Sequence, residues 1–198
     1  MAVLDIRGTH GSGKSYVVSQ LLTMLEGWEP IEGIASASKG GPEKLRHIGY
    51  SNQEHGAAIV GSYKTTSGFG GGCDLLYPEE VVRRVKLLDQ GYDCVVLEGV
   101  LVSHTFQRYH ALAQEIVDYR FCFLDTPLEQ CLDRVRKRRE GSTKKIRPFK
   151  PDNIIKDWHQ IARVRDKCLG ADDTVVDLNW EDPMVQVLEE MGVSYGRV

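Results

Sequence analysis

Gly8-Thr9-His10-Gly11-Ser12-Gly13-Lys14-Ser15 satisfies G-x-x-x-x-G-K-[ST] at every fixed position, and its flanks agree with it. Residues 3–7 ahead of it (VLDIR) read as a short buried strand. Behind it, Val17, Val18, Leu21, Leu22 and Leu25 keep helical spacing as far as Gly27, a suitable C-cap. A strand, a glycine turn and a helix opening on Lys-Ser together form a cradle for phosphate. The glycines let successive backbone N–H groups curl round an anion without Cβ clashes, and the helix N-terminus adds unpaired donors and partial positive charge. Gly8, Gly11, Ser12 and Gly13 are therefore expected to hold the phosphates of ATP. Lys14 is expected to reach the β- and γ-phosphates, and the Ser15 hydroxyl to ligate Mg²⁺. His10, inside the loop, either hydrogen-bonds a phosphate or shapes the turn.

Outward from the loop, the pattern alternates. Pro78 opens a helix with Val81, Val82, Val85 and Leu88 on one face, stopped at Gly91. Residues 93–98 (DCVVLE) form a continuous apolar run, the signature of a strand buried on both faces. A helix is predicted over about 104–117 and a strand over 119–124. Thr126-Pro127-Leu128-Glu129 reads as a capping box with proline at the first helical position. Helices over 152–168 and 181–191 bracket a last strand at 174–178. Residues 30–77 are punctuated by glycines, with strands expected at 31–37 and 57–63. Strands separated by helices predict an α/β domain with a parallel sheet covered on both faces. Glu98, ending the buried strand, then sits beside the phosphate loop. There it would hold Mg²⁺ through water, orient an attacking group, or serve as a salt-bridge partner.

The chain has 198 residues, enough for one domain with a sizeable core, and 41% hydrophobic and 27% charged residues are ordinary globular values. No secretory leader and no run long enough to span a bilayer is visible, and the five cysteines contain no C-x-x-C pair. These features predict a reduced, cytoplasmic protein without a disulfide framework or zinc site. Net charge is −3, yet residues 134–150 carry nine basic residues against Glu140 alone, +8, leaving −11 elsewhere. A basic block on an acidic chain predicts a local anion site. The other five histidines show no ligand spacing, and Trp28, Trp158 and Trp180 read as seals between helices and sheet. Arg163 and Arg165 either flank the nucleotide or lie on the surface.

With the phosphate loop, VVLEG at 95–99 and FLDTPLEQCLDRVRKRR at 123–139 in view, the chain resembles small nucleoside and nucleotide kinases. The last stretch is similar to the strand–turn–helix leading into the lid of thymidylate-kinase-like and polynucleotide-kinase-like enzymes. The resemblance implies a P-loop kinase fold, a five-stranded parallel sheet sandwiched by helices, as a single domain over 1–198. Within it, about 30–77 would be an acceptor-binding insertion and about 134–150 a basic lid. It further implies that lid arginines close over ATP and neutralise the transferring phosphoryl group. Arg134 and Arg138, four apart on one helix face, take that role, with Arg139 next beside the nucleotide.

The segment GSYKTT at 61–66, followed by GGGCD at 70–74, departs from thymidylate and adenylate kinases. It resembles the acceptor region of virus-encoded kinases that phosphorylate 5-hydroxymethyluracil within DNA. A hydroxyl acceptor gains from a carboxylate base, and Asp74 on this glycine-rich loop is the candidate, unless it only caps the following turn. Tyr63 or Phe69 would stack on a base. Three functions follow: an ATP-dependent kinase for a nucleotide hydroxyl, at its sharpest hydroxymethyluracil in DNA; a kinase of free nucleoside monophosphates; or a P-loop NTPase switch. The short chain, the basic lid and the lack of an N-K-x-D sequence weigh against the switch. With a negative net charge, DNA affinity would rest on the basic block, and a hydroxymethyl group in the major groove is reachable without base flipping.

Overall fold

The computed structural model describes residues 1–36, 41–63, 72–141 and 149–193. Its strands are β1 (Ala2–Arg7), β2 (Glu29–Ala35), β3 (Lys44–Asn52), β4 (Ala57–Val60), β5 (Cys94–Glu98), β6 (Tyr119–Leu124) and β7 (Thr174–Leu178). They form one sheet in the order β2-β3-β4-β5-β1-β6-β7. The five strands from β4 to β7 in that order run parallel, which is the expected P-loop kinase core with β1 at its centre. An antiparallel hairpin, β2 and β3, extends it beyond β4. β3 was not expected, and Gly49 explains why. Its glycine resembles punctuation, but a Cβ there would lie 2.2 Å from the Ile59 carbonyl oxygen on β4. Only a bare backbone lets the two strands approach.

Alternate residues of the central strands supply two cores. Leu4, Ile6, Val96 and Cys122 pack beneath α1 (Lys14–Met24) and α7 (Pro183–Glu190). Val3, Val95, Leu97, Phe121 and Phe123 pack on the other face beneath α2 (Pro78–Asp89), α3 (Val100–His104), α4 (Gln107–Ala113) and α6 (Pro151–Gly170). Each such fully buried side chain contributes about 1.5–3 kcal/mol of transfer free energy. α5 (Leu128–Glu140) is held to α6 by a small separate cluster around Cys131, Val135 and Ile154. All five cysteines are buried and free, and no described helix is long and apolar enough to cross a membrane.

Two local expectations need correction. The helix placed at 104–117 is instead α3 and α4, broken at Thr105 and Phe106. The break exposes the Thr105 carbonyl, which accepts a hydrogen bond from Arg7 at 3.2 Å. Arg7 is fully buried, paired with Asp5 at 2.6 Å and lying over the rings of Phe121 and Tyr109. The second correction is the capping box. Pro127, not Thr126, occupies the N-cap of α5, and no side chain caps it. The Thr126 hydroxyl donates instead to the Ser12 carbonyl at 2.8 Å, tying the root of α5 to the phosphate loop.

Candidate active site

The parallel strands end on a common edge, where β1 runs into the phosphate loop and β5 into Glu98. The register pairs Ile6 with Glu98, so the carboxylate arrives beside the loop. Gly11 and Gly13 have φ of 81° and 110°, a region L side chains avoid, and a Cβ on Gly11 would meet the Cys131 carbonyl oxygen at 2.5 Å. Loop carbonyls face α5: Gly11 and Ser12 accept from the Arg134 guanidinium at 3.3 and 3.2 Å. The Lys14 ammonium, buried beneath the loop, donates to the carbonyls of Gly8 at 2.7 Å and Thr9 at 3.0 Å. Burial lowers its pKa, opposed by the negative charges of Glu98 and Asp74.

The Ser15 hydroxyl donates to Glu98 Oε1 at 3.1 Å. Glu98 is only 2% exposed, and burial raises its pKa against the opposing pull of Lys14. Behind it lies Tyr63, whose buried hydroxyl makes no hydrogen bond of good geometry and whose main charged neighbour is Glu98. Tyr63 is thus part of the wall behind the carboxylate and packs near Tyr50; it is not placed to stack on an incoming base. Gly72 closes over Glu98: a Cβ there would fall 2.2 Å from Oε1. Ser62 and Gly72 exchange two backbone hydrogen bonds, of 3.2 and 3.0 Å, at the root of the segment between them. Phe69 and the rest of 64–71, with the lid residues 142–148, lie outside the described residues.

A cavity of about 480 Å³ opens over the loop, lined by His10, Lys14, Ser15, Asp74, Glu98, Arg134 and Arg138 among others. The structure therefore gathers all four residues expected to be catalytic and both expected to bind metal. Asp74 meets the cavity from the turn before α2, but each of its oxygens accepts a backbone N–H at 2.9 Å, from Val100 and Leu101. It caps α3 and fixes the chain immediately after Glu98. Arg138 has no hydrogen-bond or ion-pair partner among the described residues. Arg139 does not line the cavity; its guanidinium lies 5.7 Å from the Phe149 ring centre.

A second cavity of about 440 Å³ adjoins the first, sharing Gly13, Tyr16 and Arg134 and adding Trp180, Glu181 and Pro183. Arg134 lies 5.1 Å over the Trp180 ring. Trp180 is thus a cavity wall, a role its sequence neighbourhood did not signal, whereas Trp158 does seal α6 to α5, donating to the Thr126 carbonyl at 3.1 Å. Arg165, half-buried, is paired with Asp177, and the exposed Arg163 donates to Gln160.

The residues present suit magnesium and a nucleoside triphosphate. The Thr9 and Ser12 hydroxyls are buried in the loop without partners, polar groups awaiting an acceptor or donor. The Ser15–Glu98 pair supplies hard oxygen donors, and Mg²⁺ takes few protein ligands because it retains water and phosphate oxygens.

No protein-family model matches the sequence. Among known proteins, the 5-hmdU DNA kinase of Pseudomonas phage M6 is 30% identical over 201 residues, covering 97% of this chain and 100% of that protein. The 5-hmdU DNA kinase of Pseudomonas phage PaMx11 is 32% identical, covering 88% and 89%. The 5-hmdU DNA kinase of Bacillus phage SP10 is 27% identical over 90% of this chain but only 28% of that longer protein. Among solved structures, deoxyadenosine kinase from M. mycoides with bound dCTP covers 96% of this chain and 98% of its own, at 10% identity and a TM-score of 0.48. End-to-end likeness to the phage proteins, joined to a phosphate loop with its lysine, serine and carboxylate in place, makes this chain a phosphotransferase belonging to the 5-hmdU DNA kinase family.

Proposed function

We propose that the protein transfers the γ-phosphate of ATP to the 5-hydroxymethyl group of hydroxymethyluracil in DNA, working in the cytoplasm of a phage-infected host. The observation that carries this reading is the pair of joined cavities on either side of the phosphate loop. The cavity walled by Trp180 and Arg134 offers planar groups for the donor's purine, and the larger one offers Lys14 and Arg138 for its phosphates. Acceptor enters the larger cavity from the side of Asp74 and Leu75. Mg²⁺ held by Ser15 and Glu98 would neutralise charge on the β- and γ-phosphates. Lys14 and Arg138 supply fixed positive charge where negative charge is shared during transfer, and the remaining basic residues of the 134–150 block, Arg134 and Arg138 aside, would meet the DNA backbone.

Incubation with γ-labelled ATP and a panel of plain DNA, hydroxymethyluracil DNA and free deoxynucleoside monophosphates tests the reading. Label should enter the hydroxymethylated DNA alone. Label in the free monophosphates, with none in DNA, would overturn it in favour of a small-nucleotide kinase.

A further inference from the structure

Removing a proton from a hydroxyl requires a group that is open to the acceptor and has a free lone pair. Three candidates line the large cavity: Asp74, Glu98 and His10. Asp74 has both oxygens engaged by the backbone of α3. Glu98 is almost wholly covered, lies under Gly72 and already accepts from Ser15. His10 differs on each count. It stands exposed on the crest of the phosphate loop, lines the large cavity, and has no hydrogen-bond partner among the described residues. It is absent from the walls of the Trp180 cavity, so it belongs to the side that Asp74, Leu75 and Val100 share, away from the donor's base.

We propose that His10 is the general base of the transfer, a role that rests on the hydroxyl-acceptor reading above. The hydroxymethyl O–H bond breaks as its proton passes to an imidazole nitrogen. The oxygen's electron pair forms the new O–P bond to the γ-phosphorus, and the bond from that phosphorus to the β–γ bridging oxygen breaks, releasing ADP. The imidazolium then returns the proton to solvent. The charged groups facing His10 are Lys14 from α1, Arg138 from α5, Asp157 from α6 and Asp74 from the turn before α2. Asp157 also pairs with His104 at the end of α3, at 3.5 Å. Although the ring is open to the cavity, its partial desolvation against the loop, with Lys14 and Arg138, lowers the His10 pKa below its usual 6.5, while Asp157 and Asp74 act the other way. The sign is clear: the free base predominates at neutral pH, and kcat falls as pH drops through the lowered pKa.

The test measures kcat and KM against pH on hydroxymethyluracil DNA for the parent enzyme, His10→Gln, His10→Asn and Asp74→Asn, with an NMR titration of the His10 ring in the free protein. The parent alone decides the acceptor: no transfer to this DNA defeats the proposed function, and the pH profiles are then run on whichever hydroxyl acceptor the parent does phosphorylate. If His10 is the base, both His10 variants lose about 10²–10⁴-fold in kcat, keep the KM for ATP within about twofold and lose the acid limb. Asp74→Asn keeps that limb, and the ring titrates below 6.5. Four results would each overturn the proposal: kcat within a few-fold of the parent in both His10 variants, a raised KM for ATP with kcat unchanged, an acid limb that survives in them, or a ring still protonated at the assay pH. The ring titration stands even where a variant fails to fold.

Discussion

Lys14 does two things with one ammonium. It holds the carbonyls of Gly8 and Thr9, and in the proposed transfer its charge would be directed at the phosphates of ATP. Lys14→Ala should therefore lower kcat by a factor on the order of 10² or more while the protein stays folded; circular dichroism alongside the rate checks both halves. Asp74→Ala should cost about 0.5–2 kcal/mol in urea unfolding, the usual worth of a helix cap, and Asp74→Asn less, because an amide oxygen still accepts one N–H. At this scale the contiguous loop was legible from its spacing alone. The union of Asp74 with Val100 and Leu101 was not, since 26 and 27 residues separate the partners and nothing local encodes the contact.

α5 presents Arg134 and Arg138 to the same cavity, but their surroundings differ. Arg134 already braces the loop carbonyls and lies over Trp180, so Arg134→Ala should mainly raise the KM for ATP. Arg138 has its charge uncommitted toward the cavity, so Arg138→Ala should mainly lower kcat. Steady-state kinetics of the two variants separates these effects; identical shifts in both would remove the distinction. The helix itself and its shared face were readable in the sequence, because a 3.6-residue period and four-residue spacing are local signals, whereas its entry was misread, Pro127 standing at the N-cap and not at the first helical position. β3 was not readable, because Gly49 serves a close approach to Ile59 that only the folded sheet reveals. Trp180 was misjudged for a similar reason: its partner Arg134 comes from an element 46 positions earlier in the chain.

At the scale of the whole molecule, the central strand β1 carries a fully buried ion pair, Asp5 with Arg7, to which the Tyr119 hydroxyl also donates at 2.9 Å. Asp5→Ala should destabilise by about 3–5 kcal/mol, since Arg7 would keep a buried charge without its partner, and Asp5→Leu with Arg7→Met should recover much of that loss in thermal unfolding. Its signal was present in the sequence, as two charges two apart on one face of a buried strand. A second expectation concerns the charge of +8 between residues 134 and 150. Each backbone phosphate it contacts should steepen the salt dependence of DNA affinity by about 0.9 in log–log slope, so KM for hydroxymethyluracil DNA should climb with salt while KM for ATP changes far less. A flat dependence on salt would remove the block from DNA contact.

The clasp between Ser62 and Gly72 carries a consequence for how such a molecule can change. Because residues 62 and 72 are held together by their own backbone hydrogen bonds, the length of the connection between them can change without altering how the chain returns to Gly72 beside Glu98. Doubling such a stretch costs only about 0.6 kcal/mol of closure entropy, and the cost stays within the stretch itself. The clasp thus separates a fixed frame from a replaceable insert: the strand end that carries Glu98 can stay constant while the connection is lengthened, trimmed or rewritten.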